Sequence, residues 1–336
     1  MTSVKTVTIQ DVANEAGVSI ATVSRVLSGK GPVSPEKRQL VIDAVEKLDY
    51  NIDQGSRTSP KAGTSILLMI VPRISNPFYS EIIHGFQNNA YKHGYEVLLC
   101  QSMSSPRRTE EYINLLKNRV VDGAVTLEPL PSPEIFMAAG RNYPIVQCCE
   151  YIEGLDYSYV SIDNVQAARK AVQYLHSLGY RKVALLNAGL NFKYARDRQE
   201  GYGQALAEQG IAVSPEWIVN IADVNYSLAL GAAESLLRLP NPPDAIFAVS
   251  DVIAAAVIKS AKKLGINVPR DLAVVGFDNT EISLMCDPSI TTVNQPRYEL
   301  GSYACDLLLE QIRDPKAPAR HLLLNTELIA RESTQR

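Results

Sequence analysis

Residues 8–48 read TIQDVANEAGVSIATVSRVLSGKGPVSPEKRQLVIDAVEKL, and this stretch decides the N-terminal fold. Three short amphipathic segments follow one another, each opened by a hydroxyl residue. Thr8 caps the first, and Asp11, three residues on, completes a shortened capping box. Ile9, Val12, Ala13 and Ala16 then share one helical face. Gly17 ends that helix, and Gly17-Val18-Ser19 turns the chain so that Ser19 caps the next. From Ile20 to Leu27, Val23, Val26 and Leu27 are predicted inward while Thr22, Ser24 and Arg25 stay polar. After the loop Ser28-Gly29-Lys30-Gly31-Pro32, Ser34 caps a third helix that begins at Pro35. Leu40, Val41, Ala44, Val45 and Leu48 are its expected inner face.

Two short helices joined by a glycine turn and braced by a third make a helix-turn-helix, which sets its second helix in a DNA major groove. A helical appendage with no DNA role would show the same spacing, so side chains must discriminate. Hydroxyls at Thr8, Ser19 and Ser34, with Thr22 and Ser24 on the second helix, suit phosphate and base-edge contacts. Arg25 can reach a guanine edge, and Ile20 or Ala21 can pack on a thymine methyl.

The run DVANEAGVSIATVSRVL (residues 11–27) resembles the head of the LacI/GalR family of bacterial repressors, and the resemblance extends from about Thr8 to Ser333. It implies a homodimer on a pseudo-palindromic operator and a ligand core related to periplasmic sugar-binding proteins. Residues 49–63, DYNIDQGSRTSPKAG, have linker composition. In the family this segment becomes a hinge helix on DNA, and a leucine wedges the minor groove. Here Asn51-Ile52, Gly55-Ser56 and Thr58 stand at the equivalent places; glycine weakens a helix and threonine is a poor wedge. Arg57 remains as a minor-groove or phosphate contact. No leucine-rich tail follows the core, which favours a dimer over a tetramer.

The totals bound the rest. A chain of 336 residues, 46% hydrophobic and 21% charged, suits two or three globular domains. The N-terminus carries no apolar signal region, and no apolar stretch reaches the roughly 18 residues of a membrane span, so a cytoplasmic protein is expected. Five scattered cysteines and four dispersed histidines make no metal spacing. Residues 1–61 hold eight basic against seven acidic side chains, +1, within a whole-chain charge of −3. A DNA head is usually more basic. Affinity must come from placement, helix N-termini and the pairing of two heads.

From Thr64 the pattern alternates. Apolar runs at 65–71, 96–100, 122–127 and 145–149 read as strands, with helices at 76–94, 106–118 and near 133–139 between and after them. A second set follows, with strands at 182–187, 217–220, 245–250 and 272–277 and helices at 164–179, 197–210, 226–238 and 251–264. Such βα alternation gives open parallel sheets. The expected organisation is a small all-α head (1–48), a linker (49–63) and an α/β two-lobed, periplasmic-binding-protein-like core (64–336). Lobe one takes about 64–160 with 293–318; lobe two takes about 161–291 with 321–333.

Ligands of open α/β sheets bind at strand ends. Phe78 and Tyr79 can stack on a ring, although one of them can equally fill the helix–sheet interface. Arg198, which the sequence places at the opening of a helix, stands where the family resemblance implies a ligand clamp. Asp278 follows the apolar run LAVVGF, and a carboxylate there can accept hydroxyl or N–H donors or cap a turn with Asn279. Asp251 reads equally as ligand contact or N-cap. Asp163, at the first crossover, and Tyr226 are positions the resemblance implies in the cleft. No phosphate-binding glycine motif, nucleophile set or metal cluster supports an enzyme or a cofactor, and Gly201-Tyr202-Gly203 is only a glycine pair within a helix. The expectation is therefore a DNA-binding transcriptional regulator, a repressor, that answers to a sugar, sugar phosphate or nucleoside. The rival is a small-molecule binding protein with a non-functional head.

Overall fold

A computed structural model describes residues 8–28, 31–48, 63–128 and 143–335. The expected helix near 133–139, linker residues 49–62 and Arg57 among them lie outside the described residues. The chain divides into two compact units, Met1–Gly63 and Thr64–Arg336.

In the first unit, α1 (Ile9–Glu15), α2 (Ile20–Ser28) and α3 (Pro35–Lys47) pack on one small core. Val12, Ala13, Ala16, Val23, Val26, Val41 and Ala44 fill it. The capping box is formed: the Asp11 N–H donates to Thr8 Oγ1 at 3.3 Å, and the Thr8 N–H donates to Asp11 Oδ2 at 2.8 Å. Gly17 turns the chain at φ +63°, a conformation glycine adopts without a Cβ penalty. The Thr22 N–H then donates to Ser19 Oγ at 3.2 Å, starting α2. Leu40 departs from expectation, being 50% exposed. The inner face of α3 is set by Val41 and Ala44, and a residue one position before Val41 is turned some 100° away from it.

The second unit holds two sheets. The first contains β1 (Ile66–Val71), β2 (Glu96–Gln101), β3 (Gly123–Thr126), β4 (Ile145–Cys148), β5 (Ser158–Ile162) and β11 (His321–Leu324). Its spatial order is β11-β5-β4-β3-β1-β2, parallel throughout. The second contains β6 (Val183–Asn187), β7 (Ile218–Asn220), β8 (Ala245–Ala248), β9 (Ala273–Asp278), β10 (Thr291–Asn294) and β12 (Glu327–Ile329), in the order β12-β10-β9-β8-β6-β7. Here only the β10–β12 pair is antiparallel.

β1 shows why continuous apolar runs become central parallel strands. Leu67, Met69 and Val71 face a core covered by α4 (Phe78–Lys92) and α11 (Arg297–Arg313), while Leu68 and Ile70 face the opposite core, under α5 (Pro106–Lys117). Each such buried side chain contributes about 1.5–3 kcal/mol. α11 crosses α4 so closely that a Cβ on Gly301 would lie 1.9 Å from the Ile82 carbonyl oxygen. The second sheet is covered by α6 (Asn164–Ser177), α7 (Lys193–Glu208), α8 (Tyr226–Leu237) and α9 (Asp251–Lys263). Gly201 of the expected glycine pair is a packing residue: its missing Cβ lets α7 approach α6, where it would meet the Val165 carbonyl oxygen at 2.1 Å.

The lobe boundaries differ from expectation in two places. His321–Leu324 belongs to the first lobe, where it pairs with the otherwise open edge of β5, and only Glu327–Ile329 joins the second. Thr291–Asn294 completes the second sheet beside β9, so residues 293 and 294 belong to that lobe. The chain consequently passes between the lobes three times: from β5 to α6, from β10 to α11, and from β11 to β12.

Candidate functional site

On the head, the apolar side of α2 is consumed by Val23 and Val26. Ile20 (42% exposed), Ala21, Ser24 and Arg25 share the opposite, open face. At 100° per residue these four span an arc of about 140°. Thr22 is half-buried at its border, with its hydroxyl 2.9 Å from that of Ser19. Thr8 and Ser34 stand at the starts of α1 and α3. The Thr8 hydroxyl bonds Asp11 at 2.6 Å, and Ser34 Oγ takes a long 3.5 Å bond from the Lys37 N–H.

In the core, the carboxyl ends of both sheets open on a cavity of about 480 Å³, mouth included. The first lobe supplies Asn76, Phe78, Tyr79, Cys149, Glu150 and Ser161. The second supplies Asn164, Tyr194, Arg198, Ser250 and Asp278, and Gln295 adds an amide from the crossing after β10. Phe78 and Tyr79 meet edge to face, centroids 5.1 Å apart.

Arg198 is only 4% exposed. α7 begins at Lys193, earlier than the sequence suggests, so Arg198 lies in its second turn and points into the cleft rather than opening the helix. Its Nε donates to Asn164 Oδ1 at 2.9 Å and its Nη1 to the Val249 carbonyl at 2.6 Å. The guanidinium lies over the Phe277 ring, 3.5 Å from the centroid, and 3.8 Å from Asp278 Oδ1. Asp278 also accepts from Gln295 Nε2 at 2.8 Å. Burial pushes its carboxyl up to about 7, against the pull of Arg198. Asp278 and Asn279 both have positive φ (+102° and +52°). Backbone held in such regions is over-determined by its surroundings and concentrates at functional sites.

The other carboxylates have local employment. Asp251 does not line the cavity and is not the N-cap, a role Ser250 fills with Oγ accepting the Ile253 N–H at 3.2 Å. Asp251 instead accepts from the Thr280 N–H (2.6 Å), Thr280 Oγ1 (3.0 Å) and Thr292 Oγ1 (2.6 Å), and burial raises it to about 6. Asp163 is exposed and caps α6, accepting the Gln166 N–H at 2.8 Å. Tyr226 is 41% exposed at the first turn of α8, outside the cavity lining.

Asn164, Gln295 and, most consequentially, Glu150 are cavity residues that sequence reasoning missed. Glu150 follows β4 in the first lobe, yet its carboxylate accepts the N–H groups of Lys193 (2.8 Å) and Tyr194 (2.9 Å), the first turn of α7 in the second lobe. The N-cap of α7, Phe192, makes no side-chain bond of its own. The strand-end rule covers its position, but its partner lies more than forty residues on. A second link between lobes joins Arg73 to Asp223 at 3.0 Å. Among the described residues no His, Cys, Asp and Glu group is arranged to hold a metal ion, and no helix is long and apolar enough to cross a membrane.

Comparison with known proteins follows the same division. The profile of bacterial regulatory proteins of the lacI family matches residues 8–52, and that of a periplasmic binding protein-like domain matches residues 172–334. The HTH-type transcriptional repressor CytR of Escherichia coli (strain K12) is 36% identical over 98% of this chain and 96% of its own. Among solved structures, an uncharacterized protein from Actinobacillus succinogenes has TM-score 0.77 and 38% identity, covering 81% of this chain and 100% of that one. The transcriptional regulator CelR in complex with cellobiose has TM-score 0.74 and 30% identity, covering 97% and 99%.

Proposed function

The chain belongs to the lacI family of bacterial regulatory proteins, sequence-specific DNA-binding regulators rather than enzymes, and on that premise we propose how its own residues divide the work. The open face of α2 reads the operator: Arg25 takes a guanine edge, Ile20 and Ala21 take methyl groups, and Ser24 with the helix starts at Thr8, Ser19 and Ser34 holds phosphates. Two chains associate, so that paired heads straddle a pseudo-palindromic site. Arg57 adds a contact from the linker. The output is repression, the activity named for CytR.

The interlobe cavity takes the effector. Phe78 and Tyr79 face one side of a ring, while Arg198, Asn164, Asp278 and Gln295 address hydroxyl or ring N–H groups on the other. CelR was solved with cellobiose, and a polyhydroxylated ligand, sugar or nucleoside, suits this lining too. The observation that carries the reading is Arg198: a buried guanidinium held by three elements of one lobe and aimed at a cavity bounded by the other. Ligand that bridges the lobes changes their relative rotation and, through it, the spacing of the heads, a coupling between two sites.

Selection of duplexes from a random DNA pool by the full-length protein, with and without sugars and nucleosides, tests this. An inverted repeat should emerge, and one pool member should change its enrichment. Arg25→Ala should weaken binding to that repeat by about 10–100-fold, the worth of a bidentate base contact, and leave non-specific binding in place. No repeat in either condition would leave a small-molecule binding protein with an idle head.

A further inference from the structure

The charges around the cavity restrict what can enter it. Its lining carries two buried carboxylates, Glu150 and Asp278, against one guanidinium, Arg198. Other cations nearby are engaged. Arg297 donates to the carbonyls of Pro77 (3.3 Å) and Asn279 (3.0 Å). Lys193 pairs with Asp197 at 2.6 Å and Glu153 at 3.1 Å, and Arg73 pairs with Asp223. Burial holds the Tyr79 and Tyr194 phenols above their ordinary range, with the Arg198 charge pulling Tyr194 the other way.

A helix N-terminus is the protein's usual receptor for phosphate. Four near this cavity are already met by a side-chain oxygen. Asn76 Oδ1 takes the Phe78 N–H of α4, Asp163 caps α6, Asn225 caps α8 and Ser250 caps α9. The N-cap of α7, like Pro77 of α4 and Pro296 of α11, offers no side-chain bond, and at α7 a carboxylate from the other lobe is seated across the cleft on two N–H groups. Glu150 thus occupies the place an anionic ligand group would take.

We propose that Glu150 is the charge filter of the cleft: by filling the α7 N-terminus it selects an uncharged polyhydroxylated effector and turns away the phosphate monoester of the same compound. This rests on the cavity being the effector site, and it narrows the effector to the neutral member of each such pair. A phosphate entering would meet Glu150, and Asp278 where it is ionised, at short range, where like charges repel, and would find the α7 N-terminus already filled.

Two titrations test it, on full-length wild type, Glu150→Ala and Glu150→Gln. In the first, ribose, glucose, cellobiose, cytidine and adenosine are each measured beside the corresponding phosphate monoester. Wild type should favour the neutral member by about 100-fold or more, and both variants should lose at least about tenfold of that ratio. The ratio is read, rather than either affinity, because loss of the interlobe bond alters closure for both ligands alike. A phosphate ester that binds wild type as tightly as its neutral partner overturns the proposal. The second titration needs no effector and so stands even if no compound in the panel binds. Inorganic phosphate should raise the melting temperature of Glu150→Ala, whose α7 N-terminus is vacated, more than that of wild type. An equal response in the two proteins, present or absent, overturns it.

Discussion

Asp278→Asn separates the cost of a buried charge from the use made of it. Burial lifts this carboxyl to about 7 even with Arg198 beside it. In an unfolded chain an aspartate titrates near 3.9, about three pH units lower. The folded protein therefore holds the proton more tightly than the unfolded chain does. The resulting stabilisation is complete below about pH 4 and is lost as pH rises through 7. Integrated to pH 8 the loss is ~4 kcal/mol, of which roughly 3 kcal/mol accrues between pH 5 and pH 8. Asparagine does not titrate, so the variant should gain roughly 3 kcal/mol relative to wild type over that interval, whatever fixed offset the substitution brings. Asp251, raised by burial to about 6, titrates in both proteins and largely cancels. Urea denaturation at the two pH values, followed through the single tryptophan, Trp217, in the second lobe, measures the difference. An offset between the two proteins that is the same at pH 5 and pH 8 would refute the reasoning. On the proposed reading, in which Asp278 contacts the effector, Asp278→Asn should weaken effector binding while improving the empty core.

The same titration reaches the ligand. If the ionised Asp278 accepts effector donors, affinity should fall about tenfold for each pH unit below 7 in wild type, and a flat calorimetric profile would count against that role. Arg198→Lys should cost at least about tenfold in effector affinity, since one ammonium cannot hold Asn164, the Val249 carbonyl and the Phe277 face together; unchanged titration would remove Arg198 from the site. Gly301→Ala should destabilise the core by about 1–3 kcal/mol in denaturant, because α11 must back away from the Ile82 carbonyl, and a neutral result would mean the crossing is looser than described. Thr8→Ala removes the α1 cap, worth ~1 kcal/mol, and amide exchange in α1 should quicken about fivefold with α3 less affected.

What could be read from the chain follows how far apart the interacting residues lie. The head was legible because its decisive bonds join neighbours: Thr8 to Asp11, and Ser19 to Thr22. The strands of the core were legible as apolar runs that only burial on both faces explains. Asp278 is reached by the strand-end rule and Arg198 through the family resemblance. That same rule could not tell which strand-end groups turn into the cleft. Asp163 bonds its own helix and Asp251 braces Thr280 and Thr292, so both are spent elsewhere. Glu150 escaped because its meaning lies in a helix of the opposite lobe. The strands HLLL and ELI were assigned to one lobe for a related reason. Only two residues separate them, yet their partners, β5 and β10, belong to different sheets.

The three passages between lobes also govern the order in which the protein can be completed during synthesis. The head is contiguous and ends by Gly63, so its small core can close once that segment has left the ribosome. The first lobe begins next but must wait: one of the two helices that cover its core spans Arg297–Arg313, and its edge strand arrives with His321–Leu324. Through most of translation its apolar face has α4 but lacks the second helix of its cover, and neither lobe can be released as an independent piece. The nascent chain can therefore acquire its means of holding DNA long before the part that modulates that hold.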